Sequence, residues 1–226
     1  MPLIDEAELA AGIGMLLSTR APAKPGRQVI RSPGAPGREL RPLGEVLTAR
    51  RSIYQFSGEP LPLADLEFVA GYAVTMLRAW WPVSPREDEG LMVLAAVFDV
   101  AGLPRGLYPV GSGVPSRLLA VPAWLSSLRE EYAAAPALLA ICGDLGHACS
   151  AGGPGYGGML TAAGALGHAM WLSALSIGLA ASVYGCACHE LTETARSLNP
   201  GMGHLFTVAI GHPLPGDQER PEDAHA

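Results

Sequence analysis

Apolar residues recur along this chain in two rhythms, one helical and one strand-like, and the change from one to the other lays out the elements. From Asp5 to Leu17, Leu9, Ile13, Leu16 and Leu17 share one face of a helix whose first turn is acidic, where carboxylates suit the helix dipole. Ala21 to Gly44 holds five Pro and four Gly and predicts a surface tether. A short helical stretch from Leu43 ends at Arg50-Arg51-Ser52. After Pro60-Leu61-Pro62, the residues Leu63, Leu66, Val69, Ala70, Ala73 and Leu77 return at helical spacing, until Trp80-Trp81-Pro82 breaks the pattern. Met92 to Phe98 is a continuous apolar run of strand length, and Leu107 to Val110 is a short extended piece after a glycine-bounded turn. Leu118 to Val121 predicts another strand, and Pro122 opens a helix through Tyr132. Ala137 to Cys142 reads as a buried strand, Gly152 to Gly158 as a glycine-rich loop, and Leu160 to Ile177 as a helix. Ala180 to Tyr184 is extended, Glu190 to Leu198 is a helix, and Leu205 to Ile210 closes the pattern as a strand. Helices interleaved with short buried strands predict an α+β or α/β sandwich.

Charge sharpens this picture by its absence. From Leu145 to His189, 45 consecutive residues contain no Asp, Glu, Lys or Arg. The stretch must be deep core, a subunit interface or a membrane span. Met159 to Ala181 is long enough to span a bilayer, yet it is rich in Ala and Gly, carries His168 in its middle and has no basic flank to set an orientation. A buried helix is therefore expected, with no membrane span. Across all 226 residues, 49% are hydrophobic and 16% charged, which excludes a disordered chain. The 15 basic residues against 21 acidic ones give a net charge of -6, which argues against nucleic acid as a partner. At this length a single large core needs no staples. The cysteines are sparse, so a disulfide framework is not expected. Cys186-x-Cys188-His189 resembles half of a metal site without a second half, and no metal is expected. The N-terminus lacks a basic stretch followed by an apolar run, which points to the cytoplasm.

Several of these segments carry a family pattern. Ala49-Arg50-Arg51-Ser52-Ile53-Tyr54-Gln55-Phe56, then Pro60-Leu61 and a helix, resembles the opening signature of the nitroreductase family of flavoproteins. Leu166 to Gly185 is similar to that family's long central helix and the strand after it. Val208 to Pro213 resembles its closing strand, which usually ends in Ile-Gly-x-Pro. Gly102-Leu103-Pro104-Arg105-Gly106-Leu107-Tyr108 and Pro82-Val83-Ser84 resemble steps of a subclass, the SagB-type or McbC-like dehydrogenases, which oxidise thiazolines and oxazolines in ribosomal peptides to azoles. The resemblance spans about Leu43 to Pro213. It implies a nitroreductase-like domain over 43–214, to which the residue pattern adds an N-terminal helix and tether over 1–42 and a polar tail over 215–226. It also implies an α+β fold with an antiparallel or mixed central sheet flanked by helices, an intertwined homodimer, and FMN held between the subunits. The uncharged helix would then lie at the dimer interface.

The resemblance also assigns roles. Arg50 and Arg51 offer permanently charged, bidentate donors to the phosphate and the flavin carbonyl edge, with Ser52 adding a hydroxyl. On residue physics alone the same arginines could simply oppose a helix C-terminal dipole. Tyr54 stands where the signature has a second cation near flavin N1. Gly185 and Cys186 lie at the turn whose backbone N–H groups approach flavin N5, where a missing Cβ allows close approach; an ordinary strand-ending turn is the alternative. Ser84 is a flavin-side hydroxyl or a loop serine. Tyr156 and His168 are the catalytic candidates. Tyr156 could exchange a proton with substrate or be a buried aromatic anchor. His168 could serve the substrate edge or be a neutral core histidine satisfied by a hydrogen bond. The subclass's Lys-Tyr pair is replaced by Ser150-Ala151, and most polar groups of the central helix are gone. Three functions follow as expectations: an FMN-dependent oxidoreductase acting on a modified peptide or related natural product; a degenerate subunit without flavin that binds a peptide or a partner biosynthetic enzyme; or a flavin-dependent reductase of dehydroamino acids or nitro compounds.

Overall fold

A computed structural model of the chain describes residues 39–80, 90–111, 114–115, 118–150 and 155–216. The expected Asp5–Leu17 helix, most of the tether, Ser84, Gly152–Pro154 and most of the polar tail lie outside them.

The helices are Leu43–Ala49 (α1), Leu63–Trp80 (α2), Ser127–Glu131 (α3), Leu145–Ser150 (α4), Gly155–Ser176 (α5) and His189–Leu198 (α6). The strands are Leu61–Pro62 (β1), Leu91–Val97 (β2), Val100–Ala101 (β3), Gly106–Gly111 (β4), Val114–Pro115 (β5), Ala137–Asp144 (β6), Ala180–Tyr184 (β7) and Met202–Gly211 (β8). Strands β1 and β3 form a small parallel pair. The other six make one sheet in the order β5-β4-β2-β6-β8-β7, with every pairing antiparallel.

Both faces of this sheet are covered, which is why its strands read as unbroken apolar runs and not as an apolar–polar alternation. Val93, Ala95, Leu139, Ile141, Val208 and Ile210 point to the side packed by α2 and α5. Leu94, Ala96, Leu138, Ala140, Cys142 and Ala209 point to the side packed by α3 and α6. Leu166, Met170 and Ala174 of α5 are buried in the first cluster; Leu128 of α3 and Leu191 and Ala195 of α6 are buried in the second.

Three expectations need correction. Leu118–Val121 is not a strand; its pairing is a single bridge between Ala120 and Leu107. The helix expected from Pro122 divides into a 3-10 turn, Ala123–Ser126, and the short α3. The glycine-rich loop does not extend to Gly158, because α5 already begins at Gly155, whose φ of 63° is a conformation that favours glycine. Glycine is a poor helix former, so tertiary packing overrides local preference there. Helix α4 had no periodic signal of its own.

One irregularity bears on the site. Ile141 pairs with Phe206 but Cys142 pairs with His204, so Leu205 is an extra residue in β8, a β-bulge. Without it His204 would share the face of Phe206. With it, His204 turns to the face of Cys142, among the residues that α3 and α6 cover.

Candidate active site

The site begins where α1 stops. Arg50 leaves the helix with extended backbone (φ −63°, ψ 118°), and the segment after it runs along β7, the outer strand of the sheet. The Ile53 N–H donates to the Ala181 carbonyl at 3.2 Å, and the Ser57 N–H donates to the His212 carbonyl at 2.9 Å. The Arg50 guanidinium lies 4.6 Å from the centre of the Trp171 ring. The arginine thus stacks on an aromatic face of α5, a favourable cation–π arrangement. One turn before Trp171, His168 meets the same ring edge-on at 6.2 Å. His168 is not a core histidine: it sits on the outward face of α5. Partial desolvation, and then the Arg50 charge, hold its pKa below the usual value and favour the neutral imidazole.

Further along the segment, Tyr54 meets Tyr184 edge-on at 6.0 Å. Tyr184 ends β7, and the turn Gly185-Cys186-Ala187 follows it, exposed along its length. Behind the turn lies a buried layer. The Tyr132 ring packs edge-on against Tyr184 (5.4 Å) and against His204 (6.3 Å). The Tyr132 hydroxyl donates to the Cys186 carbonyl at 3.1 Å, and the Cys188 N–H donates to His204 Nδ1 at 2.9 Å. An Nδ1 that accepts leaves the imidazole proton on Nε2, which faces the Thr207 hydroxyl (2.8 Å) and the Phe206 carbonyl (3.1 Å). Burial pulls His204 down to about 4 and pushes the Cys188 thiol up to about 11, so both are neutral near pH 7.

The structure brings Arg50 and His168 together on Trp171, and Tyr54, four residues further along the same segment, leads through Tyr184 to Gly185 and Cys186. Ser52 is exposed on the same segment. Arg51 lines a neighbouring depression with Glu45, Ile53 and Leu179. Tyr156 is not brought in. It is 53% exposed in the single chain, and it lies twelve residues before His168 on one helix, about 18 Å along the axis. Sequence reasoning missed Trp171, Tyr132, Tyr184 and His204. Trp171 could have been found, since it follows His168 at helical spacing; Tyr132 and His204 are joined to the turn only by the fold.

These residues suit a flavin nucleotide. Arg50 and Ser52 are exposed donors for anionic and carbonyl oxygens, Tyr54 offers an aromatic edge and a hydroxyl, and the space where a Cβ of residue 185 would stand is open. Among the described residues, no cluster of three or more His, Cys, Asp or Glu is placed to hold a metal ion, and no helix is long and apolar enough to cross a membrane.

Solved structures match over most of the chain. A protein assigned as a nitroreductase from Ralstonia eutropha superposes with a TM-score of 0.57 at 21% identity, covering 85% of this chain and 92% of its own. Another so assigned, from Anabaena variabilis, gives the same TM-score and identity over 76% of this chain, which spans only 38% of that protein. A third, from Desulfovibrio desulfuricans and solved in complex with FMN, matches at 17% identity with a TM-score of 0.50, over 77% of this chain and 87% of its own. No protein-family model and no curated protein matches the sequence. The antiparallel sheet, its two helical layers and these superpositions together give the chain the α+β fold of nitroreductases.

Proposed function

We propose that the chain is an FMN-dependent oxidoreductase whose substrate is a modified peptide or related natural product, the reaction being of the azoline-to-azole dehydrogenation type. The observation that carries this reading is the juxtaposition on β7: exposed arginine and hydroxyl donors on the segment after α1, and the open turn at Gly185-Cys186. The FMN complex of the Desulfovibrio neighbour supports the choice of cofactor.

When bound, FMN supplies the two-electron hydride chemistry. Arg50, Arg51 and Ser52 would hold its phosphate and carbonyl oxygens. The backbone at Gly185 and Cys186 would approach its redox edge. Tyr54 donates a single hydrogen bond and brings no charge, so a reduced, anionic flavin would be held less firmly than beside a cation. His168 would present a neutral imidazole at the substrate edge as the candidate proton acceptor. We further propose a homodimer. The outward face of α5 carries Tyr156, Leu160, Gly164 and His168 without a single charge, and an uncharged apolar face is suited to a second copy.

The test is spectroscopic. Purified protein is expected to show flavin absorbance, or to acquire it on titration with FMN, at about one FMN per subunit. Arg50→Gln combined with Ser52→Ala is expected to weaken FMN binding by about a hundredfold or more, as the loss of a charged and a neutral hydrogen bond implies. Colourless protein that takes up no FMN would sink the enzyme reading and favour the binding subunit without flavin.

A further inference from the structure

Resting on the FMN reading of this site, we propose that Tyr132 and His204 are positioning residues that clamp the turn Gly185–Cys188 from behind and hold its outward backbone ready for the flavin. The turn connects β7 to α6, and two of its backbone groups are taken by buried side chains. Tyr132 grips the Cys186 carbonyl, and His204 grips the Cys188 N–H. Tyr132 is 6% exposed and His204 3%. Both are held in their turn. Tyr132 lies between Tyr184 and His204, and the His204 N–H donates to the Thr192 hydroxyl, which itself donates to the Cys188 carbonyl. The anchors come from α3's end and from β8, two elements distant in sequence, and they meet at this turn.

A peptide group held by its carbonyl has its plane set, and the direction of the neighbouring N–H groups is set with it. The geometry accounts for three features at once: a tyrosine buried to its hydroxyl, a histidine kept as the Nε2–H tautomer, and the bulge that turns His204 to this face. Ordering the turn in advance removes an entropic cost from ligand binding.

The test uses the full chain with and without FMN. Tyr132→Phe removes the donor and keeps the ring. Exchange of the Cys188 amide, which His204 accepts, is expected to quicken by about tenfold in FMN-free protein, the worth of one neutral hydrogen bond. FMN affinity is expected to fall by a similar factor, with a shift in the flavin midpoint potential, while the unfolding transition of the rest of the protein keeps its cooperativity. His204→Asn, whose side-chain oxygen can replace Nδ1 as acceptor, is expected to restore slow exchange where His204→Leu does not. Unchanged exchange in Tyr132→Phe would overturn the clamp. Faster exchange with unchanged FMN affinity and potential would overturn its positioning role. Wild-type protein that takes up no FMN would instead overturn the flavin reading, and with it the role, while the exchange measurement still decides the clamp.

Discussion

His204 shows how far a single side chain departs from what its place in the sequence suggests. In the sequence it is a polar residue beside a closing strand, with nothing to single it out. In the fold it accepts from Cys188, sixteen residues earlier, and packs on Tyr132, at the end of α3. No local pattern encodes either contact. Its neutrality has a measurable consequence. Burial pulls its pKa down to about 4, partly opposed by the Phe206 carbonyl, which favours the protonated ring. An unfolded histidine titrates near 6.5. Between those values the unfolded chain binds the extra proton and the native chain does not, so stability is full above about pH 6.5 and falls as the pH drops toward 4. The loss is on the order of 3 kcal/mol. Urea unfolding from pH 7 to pH 4 is expected to show this slope in wild type and a flatter one in His204→Asn; parallel slopes would remove His204 as its source. For His168 the sequence leaves two readings open, and the structure places its side chain outward. An apolar helix with one histidine looks like core, and the outward placement of His168 follows from tertiary packing that its flanking residues do not reveal.

At the scale of elements, the strands were legible because burial on both faces makes them uninterrupted apolar runs. The expected strand at Leu118–Val121 shares the composition but pairs only at Ala120. Helix α5 was legible in its middle and hidden at its start, where glycines disguise the first turn. Its glycines also differ among themselves. A Cβ on Gly167 would collide with the Phe206 ring and press on Ile141, so this glycine lets the helix sit close to the sheet, whereas a Cβ on Gly157 would meet open space. Gly167→Ala is therefore expected to destabilise the protein by about 1–3 kcal/mol, as overpacking does. Gly157→Ala is expected to be neutral or mildly stabilising, since alanine is the better helix former. Denaturant midpoints compare the two directly, and equal effects would mean that α5 has room to move off the sheet.

For the whole molecule, the uncharged stretch from Leu145 to His189 resolves into parts with different reasons for lacking charge. Leu166, Met170 and Ala174 of α5 and Ala181 of β7 lack it because they are buried in the core. Tyr156, Leu160, Gly164 and His168 are exposed, and the proposed second copy accounts for them. Leu160→Lys is expected to shift the protein from dimer to monomer in analytical ultracentrifugation while leaving its circular dichroism unchanged. A wild type that sediments as a monomer at tens of micromolar would end the dimer proposal. The fold class was readable because order and spacing of elements survive at low identity. The chemistry was less readable, because Tyr54, Ser150 and Ala151 replace polar groups that the resembling family uses, and because Tyr132 and His204 reach the turn only through packing.

The bulge at Leu205 makes the closing strand a counter of residues. Side chains alternate between the sheet's faces, so parity along β8 decides which helical layer each one meets. Loss of Leu205 would restore regular pairing and exchange the surroundings of everything on its N-terminal side, sending His204 toward α5. A one-residue deletion here is thus more damaging than most substitutions. Among sequences aligned to this chain, a gap at this one column would separate those that retain a histidine behind the turn from those that have lost the means to place one there.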